Sequence, residues 1–219
     1  MTTDSARADA EVFEAEPDPG TRRRLTDLVG SPSRAYSLLI TIGAALGLLA
    51  SFTLTVDRIR LLKNSNVALA CDVNSIINCG SVMSSPQGEA FGFANPILGL
   101  AAFGGMSVLG IGLLGGVAYP RWMWGGLTIG TVFGISFVGW LSYQAIFHIG
   151  RLCPWCMLVW AVMIPVFVVT TLFTLSDVLP VPAAVRRVAR FLRQWQALCM
   201  LLLYAIIATA IATNNWGQS

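Results

Sequence analysis

Charge is scarce in this chain. Only 11% of its 219 residues are Asp, Glu, Lys or Arg, whereas 55% are hydrophobic. A soluble globular domain carries about 25% charged residues, so that class is excluded first. The formal net charge of +3 is too small to imply a nucleic-acid partner. Histidine is almost absent: the single one is His148, and a zinc site built on thiolates would need four of them or added histidines, so no metal is expected. The long apolar stretches hold almost no ionisable residue, which argues against an ion or proton path. The first 34 residues lack any apolar run. Glu11, Glu14, Glu16 and Asp18 are followed by Arg22, Arg23, Arg24 and Arg34, so no cleavable signal peptide is expected here, and the pattern predicts a disordered tail.

What the chain does have is long hydrophobic runs. Crossing a hydrocarbon core of about 30 Å takes roughly 20 helical residues, and five stretches reach that length: Ala35 to Thr55, Pro96 to Ala118, Trp122 to Ile149, Leu152 to Leu175 and Trp195 to Thr213. The expected fold is an all-α membrane protein. Residues 35–176 form its main unit, with a polar loop at 56–93, a basic loop at 177–194 and the fifth helix with its outer end at 195–219. Arg22, Arg23, Arg24, Arg34, Arg121, Arg186, Arg187, Arg190 and Arg193 fall on one side. Only Arg58, Arg60, Lys63 and Arg151 fall on the other. The positive-inside rule places the first group in the cytoplasm, so the N-terminus is expected inside, and the C-terminus and polar loop outside.

Glycines repeat at 126, 130 and 134, with further pairs at 43 and 47 and at 112 and 116. Two readings stand: notches for close helix contact, or the ordinary abundance of glycine in membrane helices. Trp122, Trp124, Trp140, Trp155 and Trp216 suit interfacial belts, with Trp155 also able to shield a neighbouring disulfide.

Four of the five cysteines fall in two pairs on the expected outer face, the oxidising side of a membrane. Cys153-Pro154-Trp155-Cys156 opens the fourth span. Pro154 suits the first helical position, which puts Cys153 at the N-cap. Unpaired amides and the helix dipole favour a thiolate there. The alternatives to a redox pair are a structural disulfide or a zinc knuckle. Cys71 and Cys79 lie in the polar loop, and Asp72 reads as an N-cap. With Val73, Ile76, Ile77, Val82 and Met83 as an apolar stripe, the two cysteines are expected to bracket a short interfacial helix. A disulfide closing so small a loop stabilises by about 2–3 kcal/mol. The pair reads as an electron shuttle on a mobile arm, with a structural staple as the other reading. Cys199, mid-span and alone, reads as a small buried apolar residue. His148 is either packed or interfacial, or assists a proton transfer. Arg58, Arg60 and Lys63 suit lipid headgroups or a docking partner.

Cys71-Asp72-Val73, Cys79, Val82-Met83-Ser84-Ser85, Phe91-Gly92, Asn95 and Gly99, followed by the Cys-x-x-Cys at a helix start, resemble the signature of the vitamin K epoxide reductase family, bacterial branch, over about Ala35 to Leu175. The resemblance implies a four-helix bundle around a quinone, with the fifth helix added. It implies Cys153 and Cys156 as the active-site pair, with Cys156 nearest the quinone. Cys71 and Cys79 become the shuttle pair, Cys71 meeting the partner and Cys79 passing electrons to Cys153. Ser85 and Asn95 match positions lining the family's quinone pocket. Trp160 stands near Cys156, where animal members have a tyrosine. Many bacterial relatives fuse a thioredoxin-like domain after a fifth span, and this chain is expected to be the stand-alone form.

The function expected from that likeness is thiol oxidation in the bacterial inner membrane. A reduced extracytoplasmic thioredoxin-fold (DsbA-like) protein gives electrons to the cysteines, and menaquinone or ubiquinone accepts them. The rival readings are a DsbB-type oxidase, whose cysteine pairs usually occur in the reverse order, and a non-enzymatic membrane protein with structural disulfides.

Overall fold

The computed structural model describes residues 28–65 and 67–213. Expectations for the acidic and basic tail before Leu28, and for Trp216, lie outside the described residues. The elements in order are β1 (Leu28–Val29), α1 (Arg34–Lys63), α2 (Cys79–Met83), a 3-10 turn (Pro86–Glu89), α3 (Asn95–Leu114), β2 (Tyr119–Pro120) and α4 (Arg121–Tyr143), which continues through a π turn (Gln144–Ile149). Then follow α5 (Pro154–Phe173), also extended by a π turn (Thr174–Val178), α6 (Ala183–Gln194) and α7 (Gln196–Thr213). Five of these helices are long and apolar enough to cross a membrane, at 34–63, 95–114, 121–149, 154–178 and 196–213. The chain is an all-α membrane protein.

Small residues set how closely the helices approach. α1 packs along α3 and α5, and α5 packs along α4. A methyl group on Gly43 would meet the Val166 and Val162 side chains at 3.1 and 3.3 Å, and one on Gly47 would run into the Phe103 ring, so that pair is a true notch. The third-span stripe is mixed: a Cβ on Gly134 would run into the Met163 side chain of α5 at 2.6 Å, a close contact of the expected kind. Gly126 and Gly130 have nothing within 4 Å of an added Cβ, because they face a cavity rather than a helix. Gly116 sits at φ +83° just after α3, in the turn that sends the chain to β2, so the fourth-residue spacing from Gly112 is not a helix notch.

At the arginine-rich end the core closes on aromatics. The Tyr36 ring lies 5.9 Å from Trp124 and 5.6 Å from Phe173, and Trp124 meets Phe173 edge-on at 5.0 Å. Tyr36 and Thr170 share a buried hydrogen bond of 3.1 Å. Trp124 is 2% exposed and donates its indole N–H to the Val29 carbonyl at 3.1 Å. Its expected place in an interfacial belt is therefore wrong: the buried indole needs an acceptor, and β1 supplies it. β1 pairs antiparallel with β2, Leu28 opposite Pro120 and Val29 opposite Tyr119. Residues 28–34 of the expected tail are thus ordered.

Three other boundaries differ from expectation. α1 runs eight residues past Thr55 because Asp57 and Arg60 pair at 3.3 Å and Arg58 pairs with Glu89, so polar residues continue the helix. That pairing, and not lipid, engages Arg58. The expected basic loop at 177–194 is mostly α6, an amphipathic helix carrying Arg186, Arg187, Arg190 and Arg193. The short helix of the polar loop begins at Cys79 instead of lying between the cysteines, and its cap is Asn78, whose side chain accepts from the Ser81 N–H.

Pro165 lies inside α5. It has no N–H to give the carbonyl of Ala161, one turn back. The Tyr204 hydroxyl of α7 donates to that carbonyl at 2.5 Å, satisfying a backbone group that hydrocarbon would leave stranded. α7 buries no residue of its own, and Cys199 on it is a free, half-exposed thiol, not the buried one expected.

Candidate redox site

The polar loop is fastened to the segment just ahead of Cys153. The Asn78 N–H donates to the Leu152 carbonyl at 3.0 Å, and the Leu152 N–H donates to the Ile76 carbonyl at 2.8 Å. Together they form a parallel bridge between Ile77 and Leu152. The Arg151 guanidinium also donates to the Ser75 carbonyl. Cys79 follows the bridge by two residues on one strand, and Cys153 follows it by one on the other. Both are buried, 0% and 1% exposed, in one cluster with Leu54, Leu69, Cys71 and Met83, with Trp155 and Cys156 packed against it. The loop is docked over the end of the bundle, not carried as the free arm expected from its polarity.

Cys71 and Cys79 form a disulfide with Cα atoms 5.7 Å apart. Asp72 holds the same loop a second time. One carboxylate oxygen accepts from the Leu69 N–H at 3.2 Å and the other from the Gly80 N–H at 3.0 Å. The sequence signal, a carboxylate ready to accept backbone amides, is fulfilled, but the amides flank the disulfide instead of starting a helix. A methyl group on Gly80 would press on the Asp72 carboxylate at 3.2 Å, so glycine lets that contact form.

Cys153 and Cys156 are free thiols. Cys153 is the N-cap of α5, with Pro154 at the first helical position, and its sulfur accepts from the Cys156 N–H at 3.4 Å. That N–H is one of the four a helix start leaves unpaired. The Cys153 thiol is held below its ordinary range, chiefly by the hydrogen bond from the Cys156 side chain. Trp155, partly buried, packs against the cluster that holds Cys153.

Behind the thiols lies a cavity of about 560 Å³ between α3 and α4. It is reached by Cys153, Cys156, Ser85, Asn95 and Trp160 together, so every pocket residue expected from sequence borders one space. Ser85 and Asn95 are already occupied. The Ser85 hydroxyl donates to the Val82 carbonyl at 2.7 Å. The Asn95 amide donates to Gln87 at 2.7 Å and accepts from the Ala90 N–H at 3.1 Å, so it holds the 3-10 turn in place as part of the wall. Trp160 is 5% exposed. His148 does not border the cavity: it is exposed, its ring tilted at 56° against Tyr143 with centroids 5.3 Å apart.

Gln144, which sequence reading missed, borders the cavity. Its amide oxygen is buried with no hydrogen-bond partner among the described residues. The signal was available: a lone amide inside an otherwise apolar span is a functional candidate by default. The cavity suits a quinone on two observations. Gly126 and Gly130 leave open space where any side chain would intrude, and the unpaired Gln144 amide offers polar contacts at the cysteine end of a largely apolar wall.

Residues 38–171, more than half of the chain, match the family model for the vitamin K epoxide reductase family. No curated protein matches the chain.

Proposed function

Since this chain belongs to the vitamin K epoxide reductase family, we propose that it is a membrane thiol oxidase, carrying electrons from a reduced extracytoplasmic thioredoxin-fold protein to a membrane quinone. The observation that carries this reading is the bridge between Ile77 and Leu152, which sets Cys79 beside Cys153 in one buried cluster. Two cysteine pairs so joined, one a disulfide and one a dithiol bordering an apolar cavity, suit a relay better than two staples.

The exchange conserves electrons at each step. A donor thiolate attacks the Cys71 sulfur and Cys79 leaves as thiolate. The donor's second thiolate then breaks the mixed disulfide, so the donor departs oxidised and Cys71 and Cys79 remain as a dithiol. Cys79 next attacks Cys153 of an oxidised Cys153–Cys156 pair, and Cys156 leaves. Cys71 resolves the Cys79–Cys153 bond, which restores the outer disulfide and leaves the inner pair reduced. The bound quinone supplies a two-electron, two-proton acceptor, and the oxidised inner pair is regenerated. Helix-start amides favour thiolate at Cys153, Trp155 limits water, and Gln144 orients the acceptor. The bilayer is a bacterial inner membrane with the cysteine end outside, as the arginine asymmetry supports.

The test is the purified chain in lipid nanodiscs with a reduced DsbA-like donor, with and without menaquinone or ubiquinone. Donor thiols should disappear in step with quinol formed. Cys153→Ala and Cys156→Ser should abolish quinol formation even with dithiothreitol as donor. Donor oxidation without quinone, or substantial quinol from either variant, would overturn the reading.

A further inference from the structure

At the arginine-rich end, away from all four redox cysteines, a second cavity of about 280 Å³ is bounded by Arg121, Arg186, Arg190, Ser176 and Asp177. Its charge is unbalanced. The one carboxylate on its wall, Asp177, is taken up by Arg193 and also accepts from the Ser176 hydroxyl at 2.9 Å. Arg186 reaches the Val181 carbonyl at 3.4 Å. Among the described residues, Arg121, Arg186 and Arg190 make no ion pair with a carboxylate. α4 begins at Arg121 and α6 at Ala183, and neither helix has a side-chain cap, so two positive helix ends add to the three guanidinium groups.

The helix carrying two of these arginines is divided lengthwise. Arg186, Arg190 and Arg193 fall on one face, and Val185, Val188 and Leu192 on the other, at the spacing of an amphipathic helix. Among the described residues the apolar face has little cover: Val188 is 57% exposed and Phe191 60%, and only Ala189 is buried. α6 lies between two membrane spans in sequence. A basic amphipathic helix in that position lies in the plane of a bilayer surface.

We propose that this cavity binds the phosphate of an anionic phospholipid, with α6 lying in the lipid interface and Arg121, Arg186 and Arg190 closing on the headgroup. Guanidinium groups match phosphate oxygens in pairs, and basic pockets between spans take such headgroups. The cavity's charge calls for an anion, and the uncovered apolar face beside it calls for acyl chains, so a lipid satisfies both where free phosphate satisfies one.

The test is native mass spectrometry on the full chain released from vesicles of phosphatidylcholine and phosphatidylglycerol. The wild type should retain phosphatidylglycerol selectively. R121Q/R186Q/R190Q should lose that selectivity on the order of a hundredfold, from about fivefold per arginine, whereas R187Q should change it by about fivefold at most. Salt of about 1 M, which screens beyond roughly 3 Å, should strip the lipid from the wild type, and this measurement stands if the triple variant does not fold. Excess inorganic phosphate should leave the lipid bound. Selectivity surviving the triple substitution or high salt, an equal loss in R187Q, or displacement by inorganic phosphate would each overturn the proposal.

Discussion

Replacing Asp72 by Ala should make the Cys71–Cys79 disulfide easier to reduce. With the disulfide formed, the Asp72 carboxylate ties Leu69 to Gly80, the residues flanking the pair, through bonds of 3.2 and 3.0 Å. Reduction frees the loop to open and to lose both bonds, so they stabilise the oxidised form over the dithiol. A hydrogen bond to a charged group stabilises by about 1.5–3 kcal/mol, and two of them would give twice that if fully buried. Asp72 is half-buried, so roughly 1.5–3 kcal/mol for the pair is the better figure. Because about 1.4 kcal/mol corresponds to about 30 mV in a two-electron couple, the potential should become less negative by roughly 30–60 mV. The assay is equilibration in glutathione buffers, with thiols counted by mass after alkylation, in a Cys153→Ser, Cys156→Ser, Cys199→Ser background. Asp72→Asn keeps an acceptor and should fall between wild type and Ala. A potential that does not move, or moves to more negative values, would refute the idea that this carboxylate favours the closed, oxidised loop.

Three further outcomes are expected. Cys71→Ala should lose activity with a protein donor yet keep part of it with dithiothreitol, which can reach the inner pair; steady-state rates with the two donors check this, and equal loss points to a structural role. Gly130→Phe, which puts a ring into open cavity space, should raise the KM for quinone at least about tenfold, a cost of about 1.4 kcal/mol, while exchange between the cysteine pairs continues in single-turnover alkylation. Membrane-impermeant maleimides applied to reduced, oriented vesicles should label Cys71, Cys79, Cys153 and Cys156 from one side alone, the side opposite Arg121 and Arg190.

The five spans were legible because hydrophobicity over twenty residues reports directly on the solvent a helix lies in. Their ends were less so. Hydropathy falls at Thr55, but the backbone continues as helix to Lys63, since Asp57 and Arg58 find partners that no local pattern announces. The arginines from 186 to 193 looked like a loop when read as charge alone. Read by period, Val185, Val188, Ala189 and Leu192 spell a helix. Asp72 shows a different limit. Its side chain does accept backbone amides, as its type suggests, but which amides depends on a contact eight residues away at Gly80. The four cysteines stood out by spacing and composition, whereas their convergence rests on the bridge between Ile77 and Leu152, a long-range pairing with no signature in either segment. Gln144 was overlooked among larger neighbours, although a single amide in apolar company was itself the clue.

The hydroxyl of Tyr204 on the Ala161 carbonyl gives α7 a directional peg. Ile207, Ala210 and Ile211 pack only partly buried against the core, and apolar contact of that kind is non-directional, so it does little to set how the helix is turned against α5. The carbonyl is free only because Pro165 cannot claim it, and that fixes one height and one azimuth for the whole helix. Pro165→Ala would restore the missing N–H and put it in competition with Tyr204 for the same oxygen. The helix would then keep its place in the membrane while losing its angular setting, a change visible as altered crosslinking between α5 and α7 with no change in the number of spans.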